Sequence, residues 1–501
     1  MQGFDVLVIG NGISGYSTAY ALSLEDPSLK VGIIGPSSRL SGATGAAGAM
    51  LGCFGEVTQA GISSRFGLKK LEMSVQSAKM WPSWLGQINN SNHGSNKVQI
   101  IPGTFVILNS KSGVLDSQNY AATIQALNKY NEPYEEIPPS EISGISPLDD
   151  CRPLRALYLP NEGAINPSQL LNAIHSIISN HSNLTVIDET VESINVIDGK
   201  VKNVEVKSGG KFEAKCVLLA SGTYSQSLID RIPELKNRIP KLIPAVGYSM
   251  LLEVKDQKLS SVVRTPNRAG ACGLHVLPQS KDVLYVGASN NLALIPEDSL
   301  RVGMINFIFE CLLEQIDTSL YNANVLKFLV GNRPATVDTF PLIGKTSIDG
   351  LWLLTGTYRD GIHQSPLLAQ SIARQILGKS PLFDNLFSPE RLPIQTMNKE
   401  QAIKEAVLHY MGGAYEHAIQ LPRIGWNLML EEMIHQRIET VYRELDIDIG
   451  LPPDLIIMIE RDMKKLVPYF REYYHSLDRK NFVETDNSKL LAEDANCFQP
   501  A

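Results

Sequence analysis

The hexapeptide GNGISG, residues 10–15, constrains the fold of this 501-residue chain more than any other stretch. It follows a short apolar run, residues 4–9, and precedes a segment whose apolar residues have helical spacing. In such a strand–turn–helix unit the glycines allow a tight turn and the close approach of a pyrophosphate, while the helix N-terminus offers free N–H groups. The pattern predicts a dinucleotide site at Gly10, Gly12 and Gly15. A glycine-rich structural turn is the alternative.

The second strand of this unit, residues 31–34, lacks one expected feature. Such a strand usually ends in an acidic residue that accepts hydrogen bonds from the adenosine ribose. Gly35 stands at that position. Ser37, Ser38 or Arg39 could contact the ribose or a phosphate instead, or the cofactor could be held loosely.

Two later apolar runs repeat the design of the first strand. Residues 217–220 lead into the small-residue turn SGTYS, and residues 351–354 lead into TGTYRDGI. Strands of a sheet that is covered on both faces are continuous apolar runs. We therefore expect one nucleotide-binding domain, assembled from segments that lie far apart in the chain.

Other segments alternate between apolar and polar residues, as antiparallel strands do. Residues 190–206 alternate around Asp198 and Gly199, which predicts a hairpin. A separate substrate-binding sheet is expected from residues 99–108, 245–254, 275–277 and 283–286.

The chain changes character after about residue 398. Residues 401–475 have helical spacing, with breaks expected at Gly412–Gly413, Pro422 and Pro452–Pro453. Met429 and Met433 are expected in the core of a helical bundle. A polar tail follows from about residue 478. The bundle could form a dimer interface, shield the pocket or dock a carrier protein.

Composition narrows the classes of partner. The net charge of −7 argues weakly against nucleic acid or an anionic membrane. The N-terminus has no basic region before its apolar run, and no apolar run reaches the length of a membrane helix, so we expect a soluble, cytoplasmic protein. No metal site is expected, since six cysteines are spread singly without metal-ligand spacing, at positions 53, 151, 216, 272, 311 and 497.

Four motifs together resemble the D-amino-acid oxidase superfamily, and most closely its glycine oxidase and sarcosine oxidase branch. In chain order they are SGATGAAGAMLG (41–52), LLASGTYS, GNRPATVDTFPLIG (331–344) and TGTYRDGI. The resemblance covers about residues 4–378. It implies FAD and the oxidation of a C–N bond. Non-covalent FAD is expected, because the cysteine that links flavin in sarcosine oxidases belongs to a later part of the chain, where this sequence has none between 311 and 497.

The implied fold class is mixed α/β, with a Rossmann-like FAD-binding domain, an antiparallel-sheet substrate domain and a C-terminal helical extension. The expected boundaries are 1–90, 151–240 and 331–395 for the FAD-binding domain, 91–150 and 241–330 for the substrate domain, 396–477 for the helical extension, and 478–501 for a disordered tail.

The glycine turn, the end of the second strand and the resemblance together give the candidate cofactor contacts. The TGTYRDGI loop and the helix after it would direct N–H groups toward the negative charge of a reduced flavin. The candidates are Gly10, Gly12, Ile13, Ser14, Gly15, Ser37, Arg39, Thr44, Gly45, Ala46, Ala47, Gly48, Met50, Val191, Ala220, Ser221, Gly222, Gly356, Tyr358, Arg359, Asp360, Gly361 and Ile362.

Three residues are candidates for substrate contact. The resemblance implies that Arg333 binds a substrate carboxylate, and a structural ion pair with Asp338 is the alternative. His275 stands where glycine oxidases have a carboxylate-binding tyrosine, which favours a substrate other than simple glycine. With a pKa near neutrality it could donate to a carboxylate or act as a base, or it could be satisfied by a backbone partner. Glu56 could pair with a substrate ammonium or cap a loop.

The expected activity is oxidation of an amine or amino acid to an imine by hydride transfer to flavin N5, with oxygen reoxidising the flavin to give hydrogen peroxide. Two alternatives remain open: a dehydrogenase of the same fold that passes electrons to a quinone or carrier, and a flavin-bound partner or assembly protein that acts through its helical extension. A homo-oligomer or protein partner through that extension is also conceivable. No nucleic acid and no membrane span is expected.

Overall fold

The computed structural model describes residues 2–38, 42–92, 94, 97–271, 273–416 and 425–477. Within these ranges no helix is both long enough and apolar enough to cross a membrane. The candidate contact Arg39, the helix break at Pro422 and the tail after 477 lie outside the described residues.

The strands alternate with helices in the first part of the chain and dominate its middle. They are β1 (Gln2–Ile9), β2 (Val31–Ile34), β3 (Met50–Leu51), β4 (Ile100–Asn109), β5 (Glu135–Ile137), β6 (Pro153–Ile165), β7 (Leu184–Ile187), β8 (Val191–Ile197), β9 (Lys200–Val206), β10 (Lys211–Leu219), β11 (Leu242–Glu253), β12 (Val262–Arg264), β13 (His275–Ser280), β14 (Val283–Gly287), β15 (Asn291–Leu292), β16 (Asn324–Thr336), β17 (Leu342–Lys345) and β18 (Leu351–Thr355).

The α-helices occur throughout and form the whole of the last part. They are α1 (Ile13–Glu25), α2 (Ala43–Ala46), α3 (Gln59–Ile62), α4 (Arg65–Ser91), α5 (Val114–Tyr130), α6 (Pro167–Ser179), α7 (Ser225–Ile229), α8 (Val302–Gln315), α9 (Ser365–Ile376), α10 (Lys399–Glu416), α11 (Trp426–Leu445), α12 (Pro453–Arg461) and α13 (Met463–Ser476).

The first sheet is the expected nucleotide-binding sheet. Its strand order is β17-β18-β10-β1-β2-β7, and β1 lies parallel to both β10 and β2. The three apolar runs that were expected to share a sheet, now β1, β10 and β18, are adjacent and parallel. The predicted hairpin is also confirmed, since β8 and β9 pair around Asp198 and Gly199, both of which have positive φ.

The second sheet contains the strands that were expected in the substrate domain. Its order is β15-β11-β14-β13-β12-β4-β6-β3, with β16 paired to β11 along almost its whole length and β5 paired to β6. Most pairs are antiparallel, as expected, but β12 runs parallel to β4. These two strands come from distant segments, so their relative direction left no local pattern in the sequence.

The domain boundaries remain a prediction, and the strand pairing differs from them at two points. β6 pairs with β4 in the second sheet, although the expected boundary at 151 assigned it to the FAD-binding domain. β16 crosses the boundary at 330 and pairs entirely with β11. Sheet membership depends on a partner strand far away in the chain, which the local apolar pattern does not reveal.

The helical extension α10–α13 packs against the rest of the molecule through one apolar cluster. Ile243 and Ala335 of the second sheet, and Val337 directly after it, lie in the same buried cluster as Ile438 and Phe470 of the extension. The extension is therefore continuous with the core of the molecule.

Two details of the extension differ from the sequence expectation. α10 continues through Gly412 and Gly413 instead of breaking, and it packs there against Leu115 and Ala269. Met429 and Met433 lie on an exposed face of α11 instead of the core. The Pro452–Pro453 pair does mark the start of α12.

Candidate active site

The glycine turn after β1 is sterically closed to side chains. Gly10 has φ +119°, and a Cβ there would overlap the carbonyl of Ala220 at the end of β10. A Cβ at Gly15 would overlap the carbonyl of Gly10, so only glycine lets α1 pack this closely on the turn. The turn holds the start of α1 against the ends of β1 and β10.

The N-terminus of α1 is open to an anion. Its N-cap residue Gly12 makes no side-chain cap, and its first turn contains no acidic residue. Thr44 reaches this point from the second motif and accepts a hydrogen bond from the Ile13 N–H at 3.3 Å. A Cβ at Gly45 would meet nothing within 4 Å, so this motif leaves space beside the helix end.

The end of β2 explains the missing acidic residue. The side chain of Asn11 fills the space beside Gly35 and donates to the Pro36 carbonyl at 2.9 Å. The Ser37 N–H donates to the Asp188 carboxylate at 2.7 Å. Asp188 directly follows β7, the neighbour of β2, so a carboxylate lies near this sheet corner although β2 does not supply it.

The second motif is fixed by the second sheet. Ala46 packs against Gly331 of β16, and its carbonyl accepts hydrogen bonds from Tyr285 at 3.0 Å and Ser249 at 3.2 Å. Ala47 and Gly48 continue toward Met50, where β3 begins. The segment therefore bridges the two sheets.

The ends of β10 and β18 come together next to this bridge. Gly222 has positive φ, and its carbonyl accepts a hydrogen bond from Thr355 at 3.1 Å. Ser221 bonds to Ser225 through their hydroxyls at 3.0 Å. Val191 lies at the start of β8, which pairs with β9 in the first sheet.

The loop 356–362 turns its polar side chains toward protein partners. The Tyr358 hydroxyl donates to Asp454 of α12 at 2.7 Å, and Asp360 pairs with Lys70 of α4 at 2.8 Å. Arg359 lies 3.3 Å from Glu56. Gly356 has positive φ, Gly361 and Ile362 complete the loop, and α9 then begins without a side-chain cap or an acidic first turn. Two backbone N–H groups of the loop are also used, since Tyr358 donates to the Pro334 carbonyl and Asp360 to the Thr357 carbonyl, so the contact of this loop with the cofactor stays a prediction.

Arg333 is held by neutral oxygens. It lies on β16, and its Nη1 donates to the Ser289 carbonyl at 3.1 Å and to Asn290 Oδ1 at 3.4 Å. Among the described residues, no carboxylate lies within ion-pair distance of its guanidinium. The alternative pairing with Asp338 is wrong, because Asp338 forms an ion pair with Arg391.

His275 is buried and neutral. Its Nδ1 donates to the Gly273 carbonyl at 3.0 Å, its ring stacks on Tyr285, and Nε2 lies beside Gly48. Burial lowers its pKa to about 4, with Arg264 and Arg333 acting in the same direction against the Gly273 hydrogen bond. The expected pKa near neutrality is therefore wrong, and Nε2 is an acceptor at neutral pH.

Glu56 is committed to protein partners. It forms ion pairs with Arg264 and Arg359 and accepts a hydrogen bond from Asn267 at 3.1 Å. Burial alone would raise the pKa of this carboxyl, but the two arginines outweigh burial and hold the pKa well below its usual range. The arrangement leaves no free carboxylate oxygen for a substrate ammonium without loss of an arginine contact.

Residues 5–375 match the family described as DAO, FAD dependent oxidoreductase. The chain belongs to this family. It is 24% identical over 274 residues to a glycine oxidase of Pseudomonas aeruginosa, covering 54% of this chain and 71% of the relative. It is 22% identical over 383 residues to a glycine oxidase of Geobacillus kaustophilus, covering 76% and 95% of the two chains. The crystal structure of glycine oxidase from Geobacillus kaustophilus superposes with a TM-score of 0.66 at 19% identity, over 78% of this chain and 100% of that one.

As an FAD-dependent oxidoreductase, the protein uses FAD, and its residues fit that cofactor. The glycine turn and the N-terminus of α1 suit a pyrophosphate, because the turn admits no side chain, the helix has no capping side chain at Gly12, and its first turn has no acidic residue. The buried Cys53 thiol, whose pKa is raised by burial, is not poised for a covalent link.

Sequence reasoning missed three residues of this region. Asp188 could have been found by examining the ends of all strands next to β2, since it follows β7 directly. Asn290, which contacts Arg333, and Asp454, which contacts Tyr358, left no signal, because both contacts join segments that are far apart in the chain. Within the described ranges, no cluster of three or more His, Cys, Asp or Glu side chains could hold a metal ion.

Proposed function

We propose that this oxidoreductase oxidises an amino acid, or a related carboxylate-bearing amine, to an imine. The observation that carries the proposal is Arg333, which is fixed by Ser289 and Asn290 and has no carboxylate partner among the described residues. A fixed guanidinium with uncompensated charge suits a substrate carboxylate, which accepts two parallel N–H bonds. The similarity to glycine oxidases over most of the chain supports the same substrate class.

FAD, when bound, supplies the acceptor for the hydride that leaves the carbon next to the amine. Arg333 orients this carbon by holding the carboxylate. His275 presents an acceptor nitrogen, Nε2, because its Nδ1–H is used by Gly273. A neutral acceptor suits an N–H of the substrate amine, so we assign His275 to the amine end of the substrate and not to its carboxylate. Glu56 then acts as a positioning residue for Arg359.

We infer further that oxygen reoxidises the reduced flavin to give hydrogen peroxide, while the imine hydrolyses to a carbonyl compound. Oxygen consumption with stoichiometric peroxide would support this. Reduction of the flavin without oxygen consumption would instead indicate electron transfer to a quinone or carrier.

The test is anaerobic bleaching of the bound flavin by amino acids of both configurations and by N-methylated and cyclic amines. Wild type, Arg333→Ala and Arg333→Lys are compared. Loss of a two-pronged ionic contact is expected to lower the apparent second-order rate of bleaching by roughly 10- to 100-fold, with partial retention in the lysine variant.

The matched control is Arg155→Ala, since Arg155 forms an exposed ion pair with Glu136 on the second sheet. In this variant the amines should reduce the bound flavin at the wild-type rate. Equal rates for wild type and Arg333→Ala, or bleaching only by amines without a carboxylate, would overturn the proposal.

A further inference from the structure

A cavity of about 210 Å³ lies between the loop 356–362 and the helical extension. The segment from Cys53 to Ser74 forms one wall, and α10 together with the start of α12 forms another. We call it the extension cavity. Its charged and titratable lining includes Lys70, Arg268, Arg359, Glu405, His409 and Asp454.

The cations that line the extension cavity are compensated by carboxylates. Lys70 pairs with Asp360 at 2.8 Å, and Arg359 lies 3.3 Å from Glu56. Arg268 lies 3.8 Å from Glu416. An anionic ligand would therefore have to compete with an existing carboxylate at each of these positions.

Asp454 is not compensated in this way. It is 8% exposed, and its Oδ2 accepts hydrogen bonds from Tyr358 at 2.7 Å and Asn290 at 3.4 Å. Its Oδ1 is buried without a donor, and no cation lies within 4 Å of the carboxylate in the part of the chain that the structure describes. Asp454 lines the extension cavity, so a cationic donor that enters it meets a carboxylate whose Oδ1 has no hydrogen-bond donor among the described residues.

The opposite wall of the cavity also carries a carboxylate that has no lysine or arginine partner among the residues that the structure describes. Glu405, whose side chain is 21% exposed, has no lysine or arginine within ion-pair distance in the described ranges, and its nearest basic neighbour is His409 at 3.7 Å. His409 is 7% exposed, and its Nδ1 has no hydrogen-bond partner. A buried carboxylate oxygen without a donor, such as Oδ1 of Asp454, is costly, and a cationic donor that enters the cavity removes that cost.

We propose that the extension cavity binds an organic ammonium or guanidinium group, with Asp454 as its main partner and Glu405 as the second. Every lysine and arginine of the lining is paired with a carboxylate, whereas Asp454 and Glu405 have no lysine or arginine partner in the described part of the chain. The expected ligand is therefore a cation and not an anion. The site is assembled only because the helical extension is present, since both carboxylates belong to it.

One side chain connects this site to Arg333. Asn290 accepts from Arg333 through Oδ1 and lies against Asp454 through Nδ2. A substrate held by its carboxylate at Arg333 could thus extend a second basic group toward Asp454. The hypothesis that one substrate reaches both residues rests on the proposed function. It names the substrate class as amino acids with a distal amino or guanidino group. A separate small amine is the other source of the same cation.

The first experiment measures binding without turnover. Cadaverine is titrated into the FAD-loaded full-length protein under anaerobic conditions by calorimetry, with 1,5-pentanediol as the uncharged analogue. Wild type should bind cadaverine and not the diol, and Asp454→Asn should weaken binding by about tenfold or more, as expected for loss of a charge-assisted hydrogen bond. Glu405→Gln should weaken it less.

Asp448→Asn is the matched control, because Asp448 belongs to the same extension and its side chain is 91% exposed. It should bind cadaverine like wild type. Equal binding by wild type and Asp454→Asn, or absence of cadaverine binding by wild type, would overturn the proposal.

The second experiment identifies the source of the cation. Anaerobic flavin reduction by lysine and ornithine is compared with reduction by norleucine and norvaline, which lack the distal amine. A preference for the basic amino acids that Asp454→Asn abolishes supports the substrate version. Cadaverine binding without that preference supports a separate amine and overturns the substrate version. If no amino acid reduces the flavin, the proposed function fails while the cadaverine titration still decides this proposal.

Discussion

At the residue scale, the surroundings of a side chain decide its chemistry more than its type does. His275 and Glu56 were both candidates for direct contact with substrate. The structure surrounds the first with apolar and cationic groups and gives the second two arginines. The same two residue types at an exposed position would titrate near their usual pKa values.

His275 should make stability depend on pH in a specific window. Its pKa of about 4 in the folded protein lies below the usual 6.5 of the unfolded chain, so the unfolded state binds a proton first as the pH falls. The contribution of His275 to the free energy of unfolding is fully present above about pH 6.5. It is lost progressively as the pH falls below that value, and the loss reaches roughly 3 kcal/mol near pH 4.

The measurement is the free energy of unfolding by urea between pH 7.5 and 4. His275→Gln should lose about 3 kcal/mol less than wild type over this range. His435→Gln, a change at a partly exposed histidine of α11, should follow the wild-type curve. Parallel curves for His275→Gln and wild type would show that His275 is not held neutral by the fold.

At the element scale, the loop 356–362 is joined to α12 by a buried polar contact. Tyr358 donates to Asp454, which leaves the pKa of the tyrosine well above its usual value through burial and the neighbouring carboxylate. The loop was predicted to contact the cofactor and α12 belongs to the extension, so this hydrogen bond joins the extension to a predicted cofactor loop.

Tyr358→Phe removes the donor and leaves a buried carboxylate oxygen with only its Asn290 contact. We expect a loss of about 1–3 kcal/mol in the free energy of unfolding. When Tyr358→Phe is made in a protein that already carries Asp454→Asn, it should cost less, because the two residues share one interaction and their effects do not add. Tyr321→Phe, at an exposed tyrosine, should change stability little. Additive effects of Tyr358→Phe and Asp454→Asn would show that the hydrogen bond contributes nothing.

The elements show what could be predicted from the sequence. The glycine turn, the buried strands that share one domain and the hairpin at Asp198 were predicted correctly, since each leaves a short-range pattern of glycine or apolar residues. The pairing of Asp338 with Arg391 and the packing of α10 against Leu115 and Ala269 were not predicted. Both depend on which distant segment lies alongside, and periodicity carries no information about that.

At the scale of the whole molecule, the extension and the second sheet share one apolar cluster. We therefore expect the molecule to unfold as one unit. Phe470→Ala, a change at a fully buried residue of α13, should cost about 3–5 kcal/mol. Loss of helical signal and release of flavin should occur at the same lowered urea concentration.

Phe328→Ala provides the comparison, because Phe328 on β16 is partly exposed. It should shift both transitions only slightly. If Phe470→Ala separates the loss of helix from the release of flavin, the extension folds as an independent unit.

The order of strands in the first sheet also bears on how the protein is made. β18, one of the last strands in the chain, is inserted between β17 and β10, while β1 pairs with β10 about two hundred residues after its own synthesis. The edge of β1 that pairs with β10 therefore stays unpaired until residue 219 has been made, and the other edge of β10 stays unpaired until residue 355 has been made. Such long-range pairing makes folding slow and exposes strand edges to aggregation. Production of the protein should consequently benefit from slow translation and abundant chaperones.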